Sequence, residues 1–199
     1  MSENRKVLVS LFSKHYSLQG ISMINSFSRH YPNAKINILA LDRETYRILN
    51  QYYGQSISLT CIFDDNELND EFYKILKTRS YSETIFTLKA IWIQKNAKML
   101  PENDILLYAD SDIYFFNYIP DLDLHDWEFL LSPHHFPKKR NSLLSGGYYN
   151  AGLIGVKNSD STKRALNWWV SEVKKWEKDS NYNLNIWPYP RKSMKLNKS

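Results

Sequence analysis

Short apolar runs alternate with segments of helical periodicity through the first half of this chain, and no other feature limits its possible folds as strongly. The intervening segments place apolar residues three and four positions apart, as in Ile21, Ile24 and Phe27. Strands that alternate with helices form a mostly parallel sheet covered on both faces. The sequence therefore predicts an α/β fold with a mixed, mostly parallel sheet flanked by helices. Its first strands are predicted at 6–12, 35–41, 57–63 and 104–109.

The second half adds further elements to this sheet. We predict the helices of the whole chain at 18–31, 43–53, 66–77, 81–97 and 161–178. Two more strands are predicted at 127–132 and 148–156. Either Ser159 or Asp160 caps the last helix, since both residue types accept hydrogen bonds from a helix N-terminus.

Length and cysteine content narrow the class of protein. A chain of 199 residues that is 43% hydrophobic is long enough for one domain with a sizeable core. The single cysteine, Cys61, excludes a disulfide framework and a cysteine zinc site, and favours a reducing, cytoplasmic setting. No apolar run approaches the ~18–20 residues of a membrane span. The N-terminus does not have the form of a secretory signal.

The charge distribution predicts an anionic partner or a solvated tail. The formal net charge is +5, and many of the basic residues lie at 138–140 and after residue 190. We predict a domain over 1–178 and an irregular basic tail over 179–199. The tail is either solvated or in peripheral contact with the anionic inner face of a membrane. No basic stripe is interleaved with aromatic residues, so nucleic acid is not an expected partner.

Asp110 and Asp112 follow the apolar strand at 104–109 directly. In an extended stretch, side chains two positions apart project to the same side, so the two carboxylates approach one point. They repel each other unless a cation or a proton lies between them, and Mn²⁺ and Mg²⁺ favour such oxygen ligands. The alternatives are a solvated turn and the nucleophile motif of the HAD phosphatases. The latter follows the first strand of its fold, whereas this pair follows the fourth.

Several segments in order resemble the GT-A glycosyltransferases, specifically glycosyltransferase family eight and related bacterial sugar transferases. The stretch "ILLYADSDIYFF" is similar to that family's strand and D-x-D motif, and "GGYYNAGLIGVKNS" is similar to its Asn-Ala-Gly turn and following strand. "RSYSETIFTLKAIWI" resembles the helix before the D-x-D strand, and "SPHHFPKK" resembles the segment before the turn. The resemblance runs from about residue 6 to 178 and implies a GT-A fold.

The resemblance implies a donor site for a nucleotide sugar, most simply a UDP-sugar. Asp110 and Asp112, with Ser111 between them, would hold Mn²⁺ or Mg²⁺ against the diphosphate. The basic residue near the donor on the preceding helix would be Lys89, with Arg79 as the second candidate. The loop after the first strand, from Ser13 to Tyr16, would face the base and the ribose.

The resemblance also implies an acceptor side. Asn150, Ala151 and Gly152 would line the sugar and the acceptor, with Asn150 and Lys89 as the predicted catalytic residues. The acceptor would be a glycan, a lipopolysaccharide or another lipid-linked saccharide. Transfer would retain the anomeric configuration.

One departure from the family is visible near the end of the chain. The family continues past the helix that contains "LNWW" to an Asp-Gln pair, and no such pair follows Trp176 here. We therefore expect a chain that is truncated or shifted out of frame near residue 178, with an incomplete metal shell. The alternative function is a non-catalytic GT-A domain that at most binds nucleotide.

Overall fold

The structure of the protein is a computed structural model that describes residues 5–102, 104–123, 127–136 and 148–175. Within these residues, one sheet is covered by helices. Its strands are β1 (Lys6–Phe12), β2 (Lys35–Ala40), β3 (Ser58–Cys61), β4 (Ile105–Ala109), β5 (Phe129–Pro133) and β6 (Tyr149–Lys157). The helices are α1 (Ser17–His30), α2 (Arg43–Tyr53), α3 (Asn66–Leu76), α4 (Tyr81–Lys98) and α5 (Asp160–Lys175).

The strands form a sheet in the order β3-β2-β1-β4-β6-β5. β1 pairs in parallel with β2 and with β4, and β2 pairs in parallel with β3. β6 runs antiparallel to both β4 and β5. The predicted mixed, mostly parallel α/β sheet is confirmed.

β4 is fully buried because helices cover both of its faces. Its residues alternate between the faces: Leu106 and Tyr108 pack in the core that contains α4 residues, and Leu107 and Ala109 pack in the core that contains α1 residues. Burial of each leucine side chain contributes roughly 1.5–3 kcal/mol. This alternation places Tyr108 on the α4 side of the sheet, where the candidate site lies.

The carboxyl end of β4 is tied to β1 and α4 by a buried residue. The hydroxyl of Ser10 donates to the carbonyl of Ala109 at 2.6 Å, and the indole of Trp92 donates to the carbonyl of Ser10 at 3.1 Å. Ser10 is completely buried, so water does not compete for these bonds. The edge of the sheet that carries the candidate site is therefore held from both sides.

Element boundaries differ from prediction mainly where the chain turns sharply. The strand predicted at 57–63 ends at Cys61, because the chain enters a 3₁₀ turn at Ile62 and Asp65 then caps α3 by accepting from the amide of Leu68. Ser159 is the cap of α5: its hydroxyl oxygen accepts from the amide of Thr162 at 3.1 Å.

The predicted last helix extends to residue 178, and its described part ends at Lys175. The basic residues at 138–140 and the tail at 179–199 lie outside the described residues, so the division at 178 stays a prediction. None of the helices in the described ranges is both long and apolar enough to cross a bilayer.

Candidate functional site

A cleft of about 300 Å³ lies at the carboxyl ends of β1 and β4, beside the first turns of α4. Ligands of open α/β sheets bind at this edge. Six residues predicted from the resemblance line it: Ser13, Tyr16, Lys89, Asp110, Ser111 and Asp112. The other lining residues come from the ends of β1, β2 and β4 and from α4: Leu11, Phe12, Leu41, Tyr81, Ser82, Ile85, Phe86 and Tyr108.

The loop after β1 forms one wall of the cleft. It closes as a short 3₁₀ turn, in which the amide of Tyr16 donates to the carbonyl of Ser13 at 2.9 Å. Asp42, which caps α2, accepts a hydrogen bond from the amide of Lys14 at 2.8 Å and so fixes the loop to the end of β2. Across the cleft, burial raises the pKa of Tyr81, with a hydrogen bond to Ser13 acting in the opposite direction.

The D-x-D motif lies in a turn rather than in an extended stretch. β4 ends at Ala109, and the amide of Ile113 donates to the carbonyl of Asp110 at 3.1 Å. The expectation that both aspartates share one side of a strand is therefore wrong in its geometry. They nevertheless line one cleft, because the turn folds residue 112 back over the end of the strand.

A buried ion pair holds the first aspartate. The ammonium of Lys89 lies 2.7 Å from Oδ1 of Asp110, and the hydroxyl of Tyr108 donates to the same oxygen at 2.6 Å. Lys89 is 3% exposed, whereas the side chain of Asp110 is 36% exposed. Burial, followed by the nearby charge of Asp110, raises the pKa of Tyr108 well above its ordinary value. The phenol therefore stays protonated and acts as a donor at neutral pH.

The Asn-Ala-Gly segment lies directly against this pair. The amide of Asp110 donates to the carbonyl of Gly152 at 2.7 Å, and the ammonium of Lys89 lies 3.4 Å from the carbonyl of Ala151. The side-chain oxygen of Asn150 accepts from the amide of Gly152 at 2.7 Å. The side-chain oxygen of Asn150 thus already stabilises the local turn. The catalytic role of Asn150 stays a prediction.

Arg79 is not brought to the cleft. Its guanidinium donates to the carbonyls of Val173 and Lys174 at 2.7 and 3.0 Å, and to the hydroxyl of Thr87 at 2.6 Å. Both carbonyls belong to the last described turn of α5. The structure therefore places Arg79 as a contact between α4 and α5, and Lys89 is the one of the two basic candidates that lines the cleft.

Sequence reasoning did not single out Tyr81, Phe86 and Tyr108 as site residues. Two of them lie on α4 at positions 81 and 86, on the face that continues through 82 and 85 to Lys89. Such a face follows from helical spacing once Lys89 is chosen. Tyr108 belongs to an apolar strand in the sequence, and the sequence does not show that its hydroxyl meets Asp110.

The turn carboxylates fit a cation that is shared with a phosphate group. In the part of the chain that the structure describes, no group of three or more His, Cys, Asp or Glu side chains comes together as a metal site. The available donors are the oxygens of Asp110 and Asp112. Mg²⁺ commonly binds through one or two carboxylates together with substrate phosphates, and Mn²⁺ accepts the same ligands.

Comparison with known proteins gives a distant relative in sequence. No family model matches the chain. The uncharacterized protein YfnF of Bacillus subtilis (strain 168) is 28% identical over 170 residues, which cover 80% of this chain and 55% of YfnF. The chain thus spans about half the length of that relative.

Solved structures with a similar fold are glycosyltransferases. The glycosyltransferase GlyE of Streptococcus pneumoniae TIGR4 superposes with a TM-score of 0.54 at 18% identity, over 92% of this chain and 41% of GlyE. The galactosyltransferase LgtC, in complex with donor and acceptor sugar analogues, gives 0.52 at 15% identity, over 84% of this chain and 63% of LgtC. The bifunctional glycosyltransferase WbbM gives 0.50 at 15% identity, over 88% of this chain and 35% of WbbM. The predicted GT-A fold is therefore confirmed: the chain has the α/β fold of these glycosyltransferases.

Proposed function

We propose that this chain is the nucleotide-sugar-binding domain of a glycosyltransferase, and that it transfers a sugar from a UDP-sugar to a glycan acceptor. One observation carries the proposal. Two carboxylates and a buried lysine converge on a cleft at the carboxyl ends of β1 and β4, within a fold shared with glycosyltransferases. This combination of charges suits a diphosphate that is bound together with a cation.

Lys89 supplies fixed positive charge beside the leaving group. A nucleoside diphosphate gains negative charge as the glycosidic bond to the sugar breaks, and a cation placed there in advance stabilises the transition state more than the ground state. Because Lys89 is buried, its interactions are screened by water much less than those of a surface lysine. Its contact with Asp110 holds the ammonium at the cleft before the donor arrives.

The carboxylates of Asp110 and Asp112 would hold Mn²⁺ or Mg²⁺. A bound cation of this kind acts as a Lewis acid and neutralises charge on phosphate oxygens. Ser111 packs in the same turn and is nearly buried, so it fixes the spacing of the two aspartates. Asp112 is exposed and directs its charge into the cleft without an ion pair among the described residues.

The remaining parts of the donor, and the acceptor, are assigned to residues near the cleft. Ser13 and Tyr16 lie where the base and ribose of the donor would bind, and the ring of Tyr16 is 52% exposed and free to stack. Asn150, Ala151 and Gly152 lie in the first part of β6, beside Asp110, where the sugar and the acceptor would meet. A lipid-linked acceptor would bring the protein to the inner face of a membrane.

The proposal is tested by donor hydrolysis, with water as a substitute acceptor. We expect purified chain with Mn²⁺ to release UDP from UDP-glucose or UDP-galactose, and the Asp112→Asn variant to lose at least about a hundredfold in rate, as for removal of a group that stabilises transition-state charge. Asp70→Asn, an exposed substitution on α3, is the matched control and should leave the rate unchanged.

The same assay separates the alternative of a domain that binds nucleotide and transfers no sugar. The chain spans 41% of GlyE and 63% of LgtC, so activity of the whole protein is part of the proposal. Binding of UDP without release of UDP from either donor would support the alternative. Hydrolysis that is equal in wild type and Asp112→Asn would contradict the proposed role of the turn.

A further inference from the structure

The two oxygens of the Asp110 carboxylate have different surroundings. Oδ1 receives the hydroxyl of Tyr108 at 2.6 Å and the ammonium of Lys89 at 2.7 Å. Both donors are buried, with 1% and 3% of their surfaces exposed. They approach from different elements, the phenol from β4 and the ammonium from α4. Two donors from separate elements fix both the position and the orientation of a carboxylate, which one flexible lysine alone does not.

Oδ2 faces the segment that begins β6. A Cβ atom at Gly152 would lie 3.4 Å from Oδ2 of Asp110 and 3.1 Å from the side-chain oxygen of Asn150. The distance of 3.4 Å is an ordinary van der Waals contact, so Oδ2 lies beside residue 152 of β6. The side chain of Asp110 is 36% exposed and lines the cleft, so the carboxylate can be reached from the cleft while Oδ1 is held by its two donors.

We propose that Tyr108 is a positioning residue for Asp110, whose hydroxyl fixes Oδ1 so that the carboxylate presents Oδ2 to the cation of the site. The inference rests on the proposed function for the identity of that cation. The hydroxyl of Tyr108 thereby has a role of its own, separate from the packing of the ring in the core. Groups that hydrogen-bond to a metal-binding carboxylate orient it, and their loss typically weakens metal binding tenfold to about a hundredfold.

The first experiment measures Mn²⁺ binding in the presence of UDP by the loss of the free-ion electron paramagnetic resonance signal. We expect Tyr108→Phe to raise the Kd for Mn²⁺ by about tenfold or more. Tyr53→Phe is the matched control: it removes a half-buried hydroxyl that donates to Asn25 at 2.9 Å, away from the cleft. An unchanged Kd for Mn²⁺ in Tyr108→Phe would overturn the proposal.

A second experiment needs no metal and no activity. Crystal structures of the wild type and of Tyr108→Phe, both without Mn²⁺, should show the Asp110 carboxylate in two different orientations. A carboxylate that keeps its orientation without the phenol overturns the positioning role. A wild-type chain that binds UDP and no Mn²⁺ contradicts instead the metal site of the proposed function, so the two failures are distinguishable.

Discussion

Asp110 connects three elements of the candidate site. Its side chain meets Lys89 from α4 and Tyr108 from β4, and its amide bonds to Gly152 in β6. Breaking a buried pair by removing one partner is costly, because the remaining charge has lost its compensation. Lys89 is the partner that is almost completely buried, so the effect should be largest when Asp110 alone is removed.

The coupling between Lys89 and Asp110 is measurable as a double-mutant cycle. We expect Asp110→Asn to lower the free energy of unfolding by about 1–3 kcal/mol, less than for a fully buried pair because the carboxylate is partly exposed. Adding Lys89→Met should recover part of that loss, since the double variant leaves no charge buried. Urea unfolding of the four proteins measures the coupling. Strictly additive effects would contradict the ion pair.

Residues of the site were predictable where a motif fixed both their identity and their place in an element. The turn residues Asp110 and Asp112 and the helix residue Lys89 are of this kind. Arg79 was not, although it is a basic residue of the same segment. Ser80 caps α4 with Glu83 in a capping box, so Arg79 precedes the helix and does not share the face of Lys89. The carbonyls it binds come from residues 173 and 174, a contact that the local sequence does not show.

At the scale of elements, α4 joins the site to the rest of the molecule. Its inner face packs against the sheet through residues such as Leu88 and Ile93. Its other contacts reach α5, where Gln94 donates to Asn167 at 2.8 Å. Arg79 adds a second connection, to the carbonyls of Val173 and Lys174 in α5. We infer that Arg79 stabilises the packing of α5 on α4, whereas Lys89 serves the cleft.

These different roles of Arg79 and Lys89 predict that removing Arg79 lowers stability and leaves UDP binding unchanged. We expect Arg79→Ala to lower the free energy of unfolding by about 2–3 kcal/mol, because it removes charge-assisted bonds from the guanidinium to two carbonyls of α5 and to Thr87. UDP binding by the folded variant should not change. Arg43→Ala, which removes an exposed pair with Asp64, is the control and should cost less than about 1 kcal/mol. A loss of UDP affinity in Arg79→Ala without loss of stability would return Arg79 to the donor site.

The strands and helices were predictable from periodicity to within a few residues, since each has a clear apolar pattern bounded by polar or capping residues. The turn at 110–113 was not. Periodicity ends the strand correctly at residue 109, but the D-x-D motif after it was expected to be extended, whereas the chain turns where the pairing of β4 with β6 stops at Ala109. That partner strand lies about forty residues further along the chain, and its register is set by long-range packing.

At the scale of the whole molecule, the fold determines where chemistry is possible. Four parallel strands bring their carboxyl ends to one edge, and the loops after β1 and β4 meet there. β6 begins at the same edge of the sheet and contributes the Asn-Ala-Gly segment. The fold is shared with GlyE, LgtC and WbbM at 15–18% identity, so the likeness lies in the architecture, and the function must be argued from the cleft.

The central claim is that this cleft binds a nucleoside diphosphate through a cation held by Asp110 and Asp112. Calorimetric titration of UDP into the chain, with Mn²⁺ and with EDTA, tests it most directly. The account predicts binding that needs Mn²⁺ and that disappears in Asp110→Ala and in Asp112→Ala, while Asp70→Ala binds as the wild type does. Binding of UDP that is equal in EDTA and unaffected by either substitution in the turn would contradict it.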